Sequence, residues 1–169
     1  MKIFLIGFMG SGKTTLGKLL ADELKTSFID LDERIEQDQG MSVSRIFGEK
    51  GEDFFRELEA SVLRKIVSGK TDFVLACGGG TPCFHQNMAY MNGQGITVWL
   101  DTPREILAER LLSAPDQRPL ISGLSGEQLI SFISERLEQR AQWYGQARLV
   151  IDSSNFTIKE ISRKLKAYA

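Results

Sequence analysis

One stretch, Gly7-Phe8-Met9-Gly10-Ser11-Gly12-Lys13-Thr14, constrains this chain more than any other. It matches G-x-x-x-x-G-K-[ST] in full, with an apolar run before it and an amphipathic run after it. A strand must therefore feed a helix through a glycine-rich turn. The glycines let the backbone bend tightly and turn its N–H groups toward an anion. The helix N-terminus adds unpaired donors and the positive end of its dipole. Lys13 is placed to reach the β- and γ-phosphates, and the Thr14 hydroxyl to ligate Mg²⁺. This implies a nucleoside triphosphate site. It does not name a reaction, because such loops serve switches, motors and small-molecule kinases.

The remainder continues the alternation. Residues 3–6, 28–31, 73–76, 96–100 and 149–151 read as buried strands. Helical spacing predicts helices over 13–25, 33–39, 42–47, 52–67, 103–112, a stretch ending near 143, and a closing helix from 157. The first carries Leu16, Leu19, Leu20 and Leu24 on one face; the fourth carries Phe55, Leu58, Val62 and Ile66. Strands alternating with helices predict an α/β fold, a parallel sheet covered on both faces. At 169 residues a single domain spanning 1–169 is expected.

Composition excludes several classes. With 42% hydrophobic and 25% charged residues, the chain is neither disordered nor membrane-spanning in pattern. Lys+Arg at 21 against Asp+Glu at 22 creates no global field to draw nucleic acid or an acidic membrane. Cys77, Cys83 and the lone His85 fall short of the four ligands of a structural zinc site. Two unpaired thiols fit a reducing, cytoplasmic location. No exposed apolar stripe is evident, so a monomer is expected.

Several residues are candidates for chemistry. Asp30 and Asp32 stand at the end of the second strand, where i, i+2 spacing puts both on one face. One is suited to holding Mg²⁺ through water and the other to accepting a proton from an attacking hydroxyl. The alternative is an N-cap for the next helix, a role open to Asp32. Gly78-Gly79-Gly80 follows the third strand, where a backbone must approach a ligand or adopt positive φ; a plain flexible turn is the alternative. Residues 113–126 are polar and have the length of a lid. Arg56 lies off its helix's apolar stripe, one turn from Glu59, which is placed to orient it. Arg110 ends the helix leading into the lid segment, Arg118 lies inside it, and Arg136 and Arg140 lie on the helix leaving it.

Together these residues resemble the shikimate kinase family along almost the whole chain. The loop through Thr15 with Gly17 is similar to that family's P-loop and first helix. Phe28-Ile29-Asp30-Leu31-Asp32, then Ile35-Glu36 and Gly40, resembles its acidic strand end. Ile46-Phe47, Gly51-Glu52, Phe55-Arg56 and Glu59 resemble its acceptor-binding segment, about 32–62 here. The glycine triplet and Arg118-Pro119-Leu120-Ile121 resemble its triplet and lid motif.

The resemblance implies transfer of the ATP γ-phosphoryl group to the 3-hydroxyl of shikimate, with ATP as co-substrate and Mg²⁺ as cofactor. It implies a P-loop kinase fold of three layers, with five parallel strands in order 2-3-1-4-5 and a lid. It assigns ATP contacts to Gly10, Ser11, Gly12, Lys13, Thr14, Thr15, Arg110 and Arg118. Asp32, Arg56, Gly78, Gly79, Gly80 and Arg140 are assigned to shikimate. Asp32, Lys13 and Arg118 are the implied catalytic residues, Thr14 and Asp30 the metal-binding ones, and Phe47 and Phe55 walls for the acceptor ring. Where the family reads R-x-P-x-Y, this chain has Arg140-Ala141-Gln142-Trp143-Tyr144, so the helix is expected to run on past Arg140. Arg136 and Arg148 stand as alternatives to Arg140, and Ser153 and Ser154 lie where purine contacts are expected. Other functions to be discriminated are a gluconate or nucleotide kinase of the same fold and a non-catalytic nucleotide switch.

Overall fold

The computed structural model describes residues 1–69, 71–113 and 121–168. Its strands are β1 (Lys2–Ile6), β2 (Ser27–Asp30), β3 (Phe73–Ala76), β4 (Ile96–Asp101) and β5 (Leu149–Asp152). Its helices are α1 (Lys13–Leu24), α2 (Leu31–Gln39), α3 (Val43–Lys50), α4 (Glu52–Gly69), α5 (Asn87–Gln94), α6 (Arg104–Leu112), α7 (Gly126–Tyr144) and α8 (Ile158–Lys166), with a short 3₁₀ turn at Thr81–Cys83. The strands form one parallel sheet in the order β2-β3-β1-β4-β5, as the resemblance implied.

Strand periodicity divides the core into two layers. Phe4 and Ile6 of β1 face α2, α3, α4 and α5; Ile3 and Leu5 face α1 and α8. A third cluster joins Phe8 to α6 and α7 through Leu107, Leu111, Leu129 and Ile133. Register then positions the site. Asp30 pairs with Ala76, and Ala76 with Leu5, so β1, β2 and β3 end at one level. The glycine-rich loop, the Asp30–Asp32 turn and the glycine triplet leave from that level, next to the point where β1 separates β3 from β4. Crevices in open α/β sheets form there.

The structure departs from the sequence expectation at three places. Leu31 opens α2 rather than closing β2. Leu19 leaves the apolar face of α1: it is 51% exposed, while Leu16, Gly17, Leu20 and Ala21 are buried. The 3₁₀ turn and α5 had no sequence expectation. Their entry runs through Pro82 and two left-handed non-glycine residues, His85 and Gln86, which break the helical pattern.

Gly17 is set by packing. A Cβ there would stand 2.4 Å from the Phe28 ring, so α1 lies on β2 only because this residue has no side chain. Gly17→Ala should destabilise the fold by about 1–3 kcal/mol through overpacking, although alanine is the better helix former by about 1 kcal/mol. Urea unfolding checks this; an unchanged or raised midpoint would show that Phe28 gives way freely.

Candidate active site

The nucleotide end is built by local geometry. Gly7, Gly10 and Gly12 take φ of +144°, +81° and +93°, values that L side chains rarely adopt. Gly12 is the N-cap of α1 and provides no side chain to cap it, unlike Asp30, Ser42, Ser125 and Thr157 at four other helices. The first amides of α1 therefore open into the crevice, as an anion site needs. Lys13 Nζ donates to the carbonyls of Gly7 and Phe8, each at 2.9 Å, which folds its ammonium across the loop. Arg110 Nη1 donates to the Gly10 carbonyl at 3.0 Å, placing a second cation on the loop.

Asp30 ties this loop to the acceptor end. One carboxylate oxygen accepts the Thr14 hydroxyl at 2.9 Å; the other accepts the amides of Asp32 and Glu33. Asp30, and not Asp32, is thus the N-cap of α2. The expectation that strand spacing puts both carboxylates on one face fails, because the chain turns helical at Leu31. Both still line the crevice, since the capping turn points the Asp32 carboxyl inward. Burial pushes the Asp32 pKa up to about 6, helped by the nearby Glu59 and Asp30 carboxylates and opposed by Lys13. A carboxyl poised there is suited to proton transfer near neutrality.

Thr14 and Asp30 present a hydroxyl and a carboxylate in direct contact at the crevice wall, the oxygen ligands that Mg²⁺ selects. These residues fit a magnesium ion shared with phosphate and water.

The acceptor end is built by distant segments. Arg56 and the fully buried Glu59 pair across one turn of α4 at 3.1 Å, and the Thr81 hydroxyl donates to Glu59 at 2.7 Å. Burial raises the Glu59 pKa, with Arg56 and Thr81 opposing it. The Arg56 guanidinium lies over Phe84 at 4.3 Å, with Phe55 and Phe47 at 5.2 and 5.6 Å. Phe84 and Thr81 escaped the sequence reading. Their only signal was adjacency to the glycine triplet.

The triplet itself needs close approach rather than positive φ, since none of its members has positive φ. A Cβ on Gly80 would stand 2.5 Å from an Arg56 nitrogen, and one on Gly79 would stand 2.9 Å from Arg140 Nη1. Arg140 lies on an α7 that runs unbroken to Tyr144, as Gln142 predicts. Arg136 instead bonds Gln139, and Arg148 bonds the Asn92 carbonyl, so neither lines the crevice.

A cavity of about 920 Å³ unites both ends. Its wall includes Gly10, Ser11, Gly12, Lys13, Thr14, Thr15, Asp30, Asp32, Arg56, Gly78, Gly79, Gly80, Arg110 and Arg140. Phe47, Phe55 and Ser153 also line it; Ser154 does not. The wall further includes Leu19, exposed on α1, and Phe156, neither expected from the sequence. Arg118, and residues 114–120 of the expected 113–126 lid, lie outside the described residues.

The shikimate kinase family model matches residues 9–168. The chain belongs to the shikimate kinase family. It is 49% identical over 147 residues to the shikimate kinase of Phocaeicola vulgatus, covering 87% of this chain and 83% of that one. The crystal structure of shikimate kinase from Bacteroides thetaiotaomicron is 40% identical, with TM-score 0.91 over 99% of this chain and 97% of that one. The shikimate kinase of Acinetobacter baumannii, solved in complex with shikimate, is 33% identical, with TM-score 0.85 over 99% of this chain and 91% of that one. A gluconokinase from Sinorhizobium meliloti shares only the fold, at 20% identity and TM-score 0.61 over 98% of this chain and 89% of that one. In this shikimate kinase family member, then, the nucleotide loop and the arginine-flanked triplet face one another across a single crevice.

Proposed function

We propose that this member of the shikimate kinase family transfers the γ-phosphoryl group of ATP to the 3-hydroxyl of shikimate, giving 3-phosphoshikimate and ADP. The product leads toward chorismate and the aromatic amino acids. The observation that carries the reading is the facing of two cation sets across one cavity, with the half-buried Asp32 on its wall. Lys13, Arg110 and the loop amides suit a polyphosphate. Arg56 and Arg140, brought to the glycine triplet, suit one small carboxylate by bidentate hydrogen bonds. Phe47 and Phe55 offer apolar walls to a ring.

Phosphoryl transfer asks mainly for positioning and charge neutralisation. Asp32 aligns the acceptor hydroxyl and takes its proton as the oxygen attacks phosphorus. Lys13 and the loop amides hold the transferring oxygens, and Arg118 adds positive charge to them. Thr14, and Asp30 through water, would hold magnesium, which when bound neutralises phosphate charge. A lid at 113–126, as the resemblance implies, would exclude water, the competing nucleophile. Arg118→Ala should lower kcat more than it raises the shikimate KM; the reverse result would remove it from the transferring group.

We place the chain as a single-domain cytoplasmic monomer. Exposed large apolar side chains fall on different elements, at Leu19, Phe54, Leu112, Val150 and Tyr168, and Cys77 and Cys83 are free thiols. No helix among the described residues is long and apolar enough to cross a membrane. ADP release measured with shikimate, gluconate and nucleoside monophosphates tests the reaction. Turnover is expected with shikimate; turnover only with gluconate or a nucleotide would make this another small-molecule kinase, and none at all a nucleotide switch.

A further inference from the structure

Tyr144 closes α7 one turn beyond Arg140 and is fully buried. Its ring packs against Trp99 of β4 at a centroid distance of 5.7 Å. Its hydroxyl donates to the carbonyl of Gly79 at 2.6 Å. Arg140 approaches the same glycine: a Cβ there would stand 2.9 Å from its Nη1. That Nη1 is buried without a hydrogen-bond partner among the described residues, and the guanidinium rests over the Phe8 ring at 5.4 Å. Gly79 thus meets a phenol and a guanidinium carried one turn apart on one helix. Gly80, the next residue, abuts the guanidinium of Arg56. The triplet is therefore the spacer between the two arginines, and the Tyr144 hydroxyl fastens that spacer to α7.

We propose that Tyr144 is a positioning residue for the acceptor, acting through Arg140: its hydrogen bond to Gly79 holds the Arg140 guanidinium at the spacing from Arg56 that one carboxylate requires. The inference rests on the proposed acceptor role of Arg140. Because α7 has no break between Arg140 and Tyr144, the two side chains share one helix face at i, i+4 and move as a unit. Any shift of the triplet relative to α7 changes the distance between the two guanidiniums. A buried phenol does need a partner for its own sake, so the test must separate anchoring of the fold from positioning of the arginine.

Tyr144→Phe keeps the ring and its contact with Trp99 and removes only the hydroxyl. It leaves the Gly79 carbonyl unpaired, and the shikimate KM should rise about tenfold. The KM for ATP and kcat should stay within about twofold, since the hydroxyl itself bonds Gly79 and no residue of the nucleotide loop. In an Arg140→Ala background the same change should add nothing further to the shikimate KM, because residues acting through one another are not additive. The proposal is overturned if Tyr144→Phe shifts both KM values alike, or lowers Tm while all kinetic constants hold. It is also overturned, with the acceptor role of Arg140 intact, if the Tyr144→Phe effect persists in full beside Arg140→Ala. Should Arg140→Ala leave the shikimate KM unchanged, the acceptor role of Arg140 falls, and the proposal falls with it.

Discussion

Asp32→Asn should lower kcat by about 10²–10⁴-fold, the span assigned to a positioned general base, while ATP affinity stays within about twofold. The amide keeps the size and the helical position of Asp32 but cannot take a proton. The cap of α2 survives, because Asp30 and not Asp32 accepts its amides. Steady-state kinetics with a parallel nucleotide-binding titration checks this; undiminished kcat would remove Asp32 as base. Stability should move the other way. The native Asp32 pKa is raised from 3.8 to about 6, chiefly by burial and then by Glu59 and Asp30. The folded chain therefore holds this proton more tightly than the unfolded chain does. Its contribution is complete below about pH 4 and is lost as pH rises through about 6. The loss amounts to about 1–3 kcal/mol on the scale of 1.36 kcal/mol per unit. The asparagine variant lacks that loss, so without ligand or magnesium it should unfold at a higher temperature than wild type at pH 8. The gap should narrow toward pH 4. A gap independent of pH would show that Asp32 is not buried as an ionised group.

Arg56→Met should cost about 3–5 kcal/mol of stability, as breaking a buried ion pair does, and should abolish measurable saturation with shikimate. Glu59 has no exposure, and its charge is held by Arg56 at 3.1 Å and by the Thr81 hydroxyl at 2.7 Å. Removing the guanidinium leaves that carboxylate buried with one neutral donor. It should then take up a proton in the native state, so the deficit should deepen as pH rises and shrink as pH falls. Adding Glu59→Gln removes the uncompensated charge, and most of the stability should return, because an absent buried pair costs little. Shikimate binding should not return with it. Urea unfolding and acceptor kinetics on the single and double variants separate the two roles. Recovered affinity in the double variant would mean that Arg56 does not hold the acceptor.

These two variants also mark the limit of sequence reading. Arg56 and Asp32 were legible as candidates, as residue types at motif positions, and both line the crevice. Arg56 off its apolar stripe with Glu59 one turn later already suggested a pair. The depth of burial of the Arg56–Glu59 pair was not legible, because it depends on Phe47, Phe55, Phe84 and Thr81, which come from separate segments. The same reason explains the triplet. Three glycines signalled backbone approach to a ligand or positive φ; none takes positive φ, and Gly79 and Gly80 admit two guanidiniums at the cavity wall. Nothing within a few residues of Gly79 reveals that Arg140 and Tyr144 will arrive beside it.

What the sequence by itself determined was therefore everything written in short spacing. The glycine-rich loop is contiguous, and the apolar periods of 2 and 3.6 reveal strands and helices because side-chain direction follows backbone geometry locally. Only the tertiary structure decided which distant ends meet. The order β2-β3-β1-β4-β5 sets the ends of β1, β2 and β3 side by side, and α4 and α7 carry Arg56 and Arg140 to the triplet from either side of it in the sequence. The same packing half-buries Asp32 beside Glu59 and Asp30 and raises its pKa, an effect of dielectric and neighbouring charge that no linear spacing carries.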